Sequence, residues 1–200
     1  DLARPGEPTG HLEGRWRFAR GLAIGPKWAA VLAGGYPRSS QPYDPPRIVL
    51  VDLQPLSPVV LGELTLADRQ GWSPVGGRAV GDHVVVALTR RVSRGSGRPD
   101  RHEGEVVVMD VADPAAPAVV GRLAMEGDCD LRSIAAAGTV VIVGGLSQAA
   151  REASAPADWL VPLFLGRLWV VDVSTPEQPV VRDTVAVPGN PTAIAIDGSV

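Results

Sequence analysis

An all-β fold of repeated four-stranded sheets is what this sequence predicts, and three observations carry that expectation. The segments "RIVLVDLQPLSPVVLGELT" (47 to 65), "EVVVMDVADPAAPAVVGRL" (105 to 123) and "RLWVVDVSTPEQPVVRDTV" (167 to 185) are versions of one phrase: an apolar run, an Asp, a proline-marked turn and a second apolar run. The closing Asp recurs at Asp52, Asp110 and Asp172, at spacings of 58 and 62 residues, and Asp1 fits as a weaker copy 51 residues before the first. Self-similarity at a near-constant period is the mark of a repeat architecture. Finally, short apolar stretches bounded by Gly, Pro and Asp run through the whole chain, which is the strand-and-turn rhythm of an all-β protein.

Each unit divides into four strand signals. In the first they are "GLAIG" (21 to 25), "WAAVLAGG" (28 to 35), "RIVLVDL" (47 to 53) and "VVLGELTL" (59 to 66). The second unit gives "VGGRAV" (75 to 80), "HVVVAL" (83 to 88), "EVVVMDV" (105 to 111) and "AVVGRLAM" (118 to 125). The third gives "RSIAAA" (132 to 137), "TVVIVGG" (139 to 145), "RLWVVDV" (167 to 173) and "PVVRDTVAV" (179 to 187), and "TAIAI" (192 to 196) opens a further unit. Between first and second strands, Gly81 with Asp82, Ala137 with Gly138, and Asp197 with Gly198 supply residues suited to two-residue hairpin turns. The third strand of each unit is a continuous apolar run, as expected of a strand covered on both faces. After it, Asp and Pro stop the ladder and turn the chain. Asp52, Asp110 and Asp172 recur too regularly to form one catalytic site and are assigned to that turn.

Four-stranded sheets stacked on their neighbours and repeated radially make a β-propeller. The expected division is the end of a blade at 1–18, full blades at 19–66, 67–125 and 126–187, and the start of another at 188–200. Three full blades plus two partial ones form an incomplete ring, whose uncovered apolar faces would favour aggregation or loose folding. Pairing of 12–18 with 192–196 in one shared blade would instead close a four-bladed ring. The competing architecture is a two-sheet sandwich, which does not need one strand-turn-strand phrase three times.

In "WVVDVSTPEQPVV" and "VVMDVADPAAPAVV", and more loosely in "VLVDLQPLSPVV", the chain resembles the LVIVD-repeat propellers, whose repeats run to Val-Asp-Val, then Ser or Asp, then two spaced prolines. The resemblance implies a propeller, often in secreted or cell-surface proteins of bacteria and archaea, and implies no settled activity. Kelch repeats are the second resemblance, through the paired glycines of "AAVLAGG" and "VVIVGG"; the second unit, with "VVVALTR", breaks that pattern. No Gly-His or Trp-Asp dipeptide supports a WD-type propeller.

The units are longer than a compact blade of about 40 to 45 residues. The excess falls between second and third strands: 36 to 46, 91 to 104 and 147 to 166, on what would be one face. Length gathered on one face points to binding. Arg94, Arg98 and Arg101, with Arg91, would grip an anionic glycan or phosphate or form a solvated loop. Trp159, Leu160 and Phe164, with Leu163, would form an apolar patch for a partner or fold back over the blade edge.

The net charge of -3 provides no basic field for nucleic acid, and no aromatic residue interleaves the arginines. No apolar run has the length of a membrane-spanning helix. One cysteine, Cys129, excludes an internal disulfide and a multi-cysteine zinc site. Glu126, Asp128 and Asp130 are weak candidates for a cation site, at a spacing that matches no calcium loop. His11, His83 and His102 show no metal-ligand spacing, and phosphate-loop and nucleophile-elbow motifs are absent. No cofactor is expected.

The resulting expectation is a non-catalytic interaction module, extracellular or at the cell surface, binding a protein or glycan through the insert-bearing face. The alternative is a hydrolase- or lyase-type enzyme with its site at the channel mouth. Convergence of Glu126, Asp128 and Asp130 with Arg20, Arg69 or Arg132 in a pocket would favour the enzyme.

Overall fold

The computed structural model describes residues 19–34, 44–54, 58–95, 100–147 and 165–196. They form twelve strands and a single 3-10 turn (Ala67–Arg69), and no α-helix occurs among them. The first sheet holds β1 (Ala19–Ile24), β2 (Trp28–Ala33), β3 (Arg47–Asp52) and β4 (Val59–Thr65). The second holds β5 (Ser73–Val80), β6 (His83–Val92), β7 (Arg101–Asp110) and β8 (Ala118–Ala124), and the third β9 (Cys129–Ala137), β10 (Val140–Ser147), β11 (Leu165–Asp172) and β12 (Val180–Pro188). Each sheet is an antiparallel meander in sequence order.

The repeated phrase produces the same local structure each time. In register, Trp28 pairs with Asp52, His83 with Asp110 and Val140 with Asp172. At the end of each third strand the aspartate Oδ1 accepts a hydrogen bond from the backbone N–H two residues on: Asp52 from Gln54, Asp110 from Ala112 and Asp172 from Ser174, all at 2.8 Å. These side-chain-to-backbone turns are why Asp recurs there. The next residue donates its N–H to the preceding hairpin, Leu53 to the Lys27 carbonyl, Val111 to that of Asp82 and Val173 to that of Thr139. Lys27, Asp82 and Thr139 are therefore equivalent positions. A bulge also interrupts the third-to-fourth-strand pairing at the same place in each sheet, Leu50/Val51, Val108/Met109 and Val170/Val171. Bulges strengthen local twist.

The sheets stack face to face. One face of the first sheet (Ala30, Leu32, Ile48, Leu50) packs on Val84, Val86, Leu88, Val107 and Met109 of the second. The opposite face of the second (Val85, Ala87, Val106, Val108) packs on Ile134, Val141, Val143, Trp169 and Val171 of the third. The second sheet is thus buried on both sides, and Val84 through Leu88 and Val106 through Met109 are fully inaccessible. Each such valine, leucine or methionine contributes about 1.5–3 kcal/mol relative to exposure, so this sheet is the centre of stability. The apolar runs of β6 and β7 are continuous for this reason.

Glycines set how closely the layers approach. A Cβ on Gly21 of β1 would lie 3.0 Å from the Cα of Gly76 in β5, and one on Gly76 would lie 3.0 Å from Ile134 Cγ2 in β9. First strands of successive sheets are therefore neighbours. Farther out, Gly62 on β4 and Gly121 on β8 lie beneath the proline turn of the following sheet: a Cβ there would be 2.2 Å from the Pro114 carbonyl oxygen and 1.9 Å from that of Pro176.

Two expectations change at the level of elements. Both ends of the second insert are strand, because β6 and β7 extend to pair Val92 with Arg101. Alternating charges drive the extension: Arg90 pairs with Glu103 and Arg91 with Asp100 across it. The second change concerns 192 to 196, which pairs with no strand among the described residues, although it packs as a first strand would. The Pro191 carbonyl accepts a hydrogen bond from Ser133 Oγ, and Ile194 lies over Gly144. A strand assignment needs a ladder partner, and the contacts of this segment are with the face of the third sheet. The expected fourth strand at 12 to 18 lies outside the described residues.

Candidate functional site

At the insert end, the β6–β7 hairpin and the connections entering β5 and β9 build a network of charge. Glu105 stands in an otherwise apolar strand and is 4% exposed. It is held bidentately by Arg69, whose Nε and Nη2 donate to Glu105 Oε2 and Oε1 at 2.6 and 2.8 Å. Those bonds are the main reason the Arg69 guanidinium pKa is raised, against the opposing effect of its own burial. Arg69 ends the 3-10 turn, so the contact latches the first-to-second-sheet connection to β7. Asp68 joins through Arg69 at 2.7 Å and Arg122 at 3.3 Å. Trp72 lies under two guanidinium groups, 5.9 Å from Arg69 and 5.0 Å from Arg90.

The next connection, into β9, is held by Asp128, whose Oδ1 accepts from the His102 backbone N–H at 2.8 Å. The His102 ring stands between two buried carboxylates, Nδ1 3.8 Å from Asp128 and Nε2 4.0 Å from Asp130, and Asp130 is paired with Arg132. The separations to His102 exceed hydrogen-bond length. Cys129 is buried, donates to the Glu126 carbonyl at 3.0 Å, and has its thiol pKa pushed up to about 11, first by desolvation and then by the Asp128 charge. A thiol held neutral in this way is a poor nucleophile.

The candidates from sequence fall as follows. Glu126 is exposed, Asp128 and Asp130 point to opposite sides of His102, and no group of three ligating side chains among the described residues could hold a metal ion. The three carboxylates therefore do not gather into a cation site: Asp128 Oδ1 is taken by a backbone N–H, Asp130 by Arg132, and Glu126 stands exposed apart from them. Of the charges tested for convergence, Arg132 meets Asp130 and Arg69 meets Glu105, while Arg20 lies on β1. Arg94 is exposed beyond the end of β6, and Arg101 is a half-buried residue of β7 instead of a loop residue. Arg98, Trp159, Leu160 and Phe164 lie outside the described residues.

At the opposite end, where the hairpin turns gather, a groove of about 440 Å³ opens between the first and second sheets. Lys27, Asp52, Gln54 and Asp82 line it, over an apolar floor that includes Trp28, Leu61 and Val111. Reasoning from sequence did not find it. The available signal was the "GPK" turn, three residues long where the other two sheets have two.

No protein-family model matches the chain, and no curated protein matches it. Among solved structures, it is similar to Sqt1 of Saccharomyces cerevisiae, with a TM-score of 0.53 at 10% identity, over 90% of this chain and 39% of that one. The likeness is one of fold, and the chain spans well under half of that structure's length. No helix among the described residues is long and apolar enough to cross a membrane.

Proposed function

We propose that the three sheets are successive blades of a β-propeller arc of the LVIVD-repeat kind, and that the arc is a non-catalytic interaction module, extracellular or at the cell surface. Adjacent first strands and the docking of 191 to 196 on the third sheet support the radial arrangement. One observation carries the functional reading: at the insert end the buried carboxylates are engaged, Glu105 by Arg69, Asp130 by Arg132 and Asp128 by the His102 backbone N–H, while Asp128 Oδ2 and His102 Nδ1, which have no hydrogen-bond partner, are enclosed. A site for chemistry would leave a convergent acid, base or nucleophile facing a cavity. The Arg69–Glu105 pair pins the connection into β5, and the bond from His102 N–H to Asp128 pins the connection into β9, so this end forms a braced platform.

The partner is a protein or glycan held by that platform and the loops it carries. The test replaces 148 to 164 by a short Gly/Ser linker, which spares β10 and β11, and compares binding to cell-envelope fractions. Loss of binding with an unchanged melting temperature is the expected result; undiminished binding refutes the reading.

A further inference from the structure

We propose that the groove between the first and second sheets at the turn end is a binding site for a neutral saccharide of one or two rings. It lies at the far end of the sheets from the inserts and stands independently of the partner proposed for them.

The repeat itself does not require this chemistry. The three equivalent hairpin positions are Lys27, Asp82 and Thr139, and the residues that follow the three turn aspartates by two are Gln54, Ala112 and Ser174. Between the first and second sheets the groove therefore carries an ammonium, an amide and two carboxylates. The corresponding positions between the second and third sheets are Asp82, Asp110, Ala112 and Thr139, with no cation and no amide.

Local structure fixes the groove. Gly25 donates its N–H to the Trp28 carbonyl at 2.8 Å, closing the longer turn. A side chain at Gly25 would meet the Trp28 indole, its Cβ 2.5 Å from the ring, so the indole lies directly beneath the turn and shapes the floor. Lys27 and Asp82 are exposed, and each is anchored through its backbone carbonyl, which leaves the side chain free to reach a ligand.

The polar set selects the ligand class. Two carboxylates oppose an anion, and a cation would have to share them with Lys27 and leave Gln54 unused. A polyhydroxylated neutral molecule satisfies all four groups, since its hydroxyls donate to Asp52 and Asp82 and accept from Lys27 and Gln54. Its C–H faces would cover Leu61 and Val111. The volume lies within the range of small-molecule sites, about 300–1,000 Å³, at the end suited to one or two sugar rings.

The test is an amide-shift titration of the full chain with maltose, cellobiose and lactose, and with lysine amide and inorganic phosphate as charged probes. Saturable shifts of Lys27, Leu53, Asp82 and Val111 with a disaccharide are expected. Asp82→Asn, and separately Lys27→Met, should weaken binding about tenfold, as loss of one hydrogen bond to a charged group does, with the melting temperature unchanged. Replacing 148 to 164 should leave saccharide binding intact, which separates this site from the insert face. The proposal is overturned if no disaccharide shifts these amides, if only a charged probe does, or if both variants bind as the wild type.

Discussion

Substitution of Gly121 by Ala probes how the second and third sheets meet. Gly121 has an ordinary strand conformation, so an alanine there carries no backbone strain and by itself would gain about 0.5–1 kcal/mol from reduced chain entropy. Its Cβ, however, would sit 1.9 Å from the Pro176 carbonyl oxygen and 3.0 Å from Pro179 Cδ. The obstructing atom is backbone, in a turn closed by the hydrogen bond from Gln178 N–H to the Thr175 carbonyl and by the Asp172 side chain, so it cannot rotate away. The turn or β8 must move, and overpacking of this kind costs about 1–3 kcal/mol. For a domain of this size each kcal/mol lowers the melting temperature by roughly 2–4 °C. The third sheet provides the control: the equivalent position on β12, opposite Val170, is Asp183, which is exposed. Asp183→Ala should stay within about 0.5 kcal/mol of wild type. Urea unfolding of both variants measures the difference. Stabilisation of Gly121→Ala by the about 0.5–1 kcal/mol that chain entropy alone supplies would refute the contact between turn and strand.

Further outcomes follow from the charged network and the turns. Arg69→Ala strands the buried Glu105 carboxylate and should cost about 3 kcal/mol, the low end for a broken buried pair because Arg122 remains 3.7 Å away; urea unfolding reads it. The Asp172 carboxyl is held down to about 2, first by the Ser174 backbone N–H and then by Arg182. Its stabilising contribution is complete above the ordinary value of 3.8 and disappears as the pH falls towards 2. A carboxyl NMR titration should show that midpoint, and Asp172→Asn should remove the corresponding slope from the stability profile. Cys129, with its thiol pushed up to about 11, should resist alkylation in the native state at neutral pH and react only on unfolding, as mass spectrometry would record.

Much of the fold was legible because the repeat writes the same physics three times. Continuous apolar runs announced strands buried on both faces, and Val106 to Met109 are so buried. The regular aspartates announced turns, and each caps one through its side chain. The β6–β7 extension was hidden because residues such as Arg90, Arg91, Asp100 and Glu103 look like loop when read singly; their cross-strand pairing is a relation between distant positions. Glu105 was hidden within an apolar strand for the same reason, since its partner Arg69 lies 36 residues away. The turn-end groove depends on one extra residue in a hairpin and on which units become neighbours, and no local pattern reports that juxtaposition.

The central claim is that the repeated units stack as successive sheets with their first strands side by side. Nuclear Overhauser contacts test it most directly: the Gly76 Hα to the Ile134 γ2 methyl, and the Gly62 Hα to the Ala115 Hα. Both pairs join different sheets across the interfaces described. Strong cross-peaks for both are predicted. Their absence, with Gly76 or Gly62 contacting another strand set as in a two-sheet sandwich, would contradict the account.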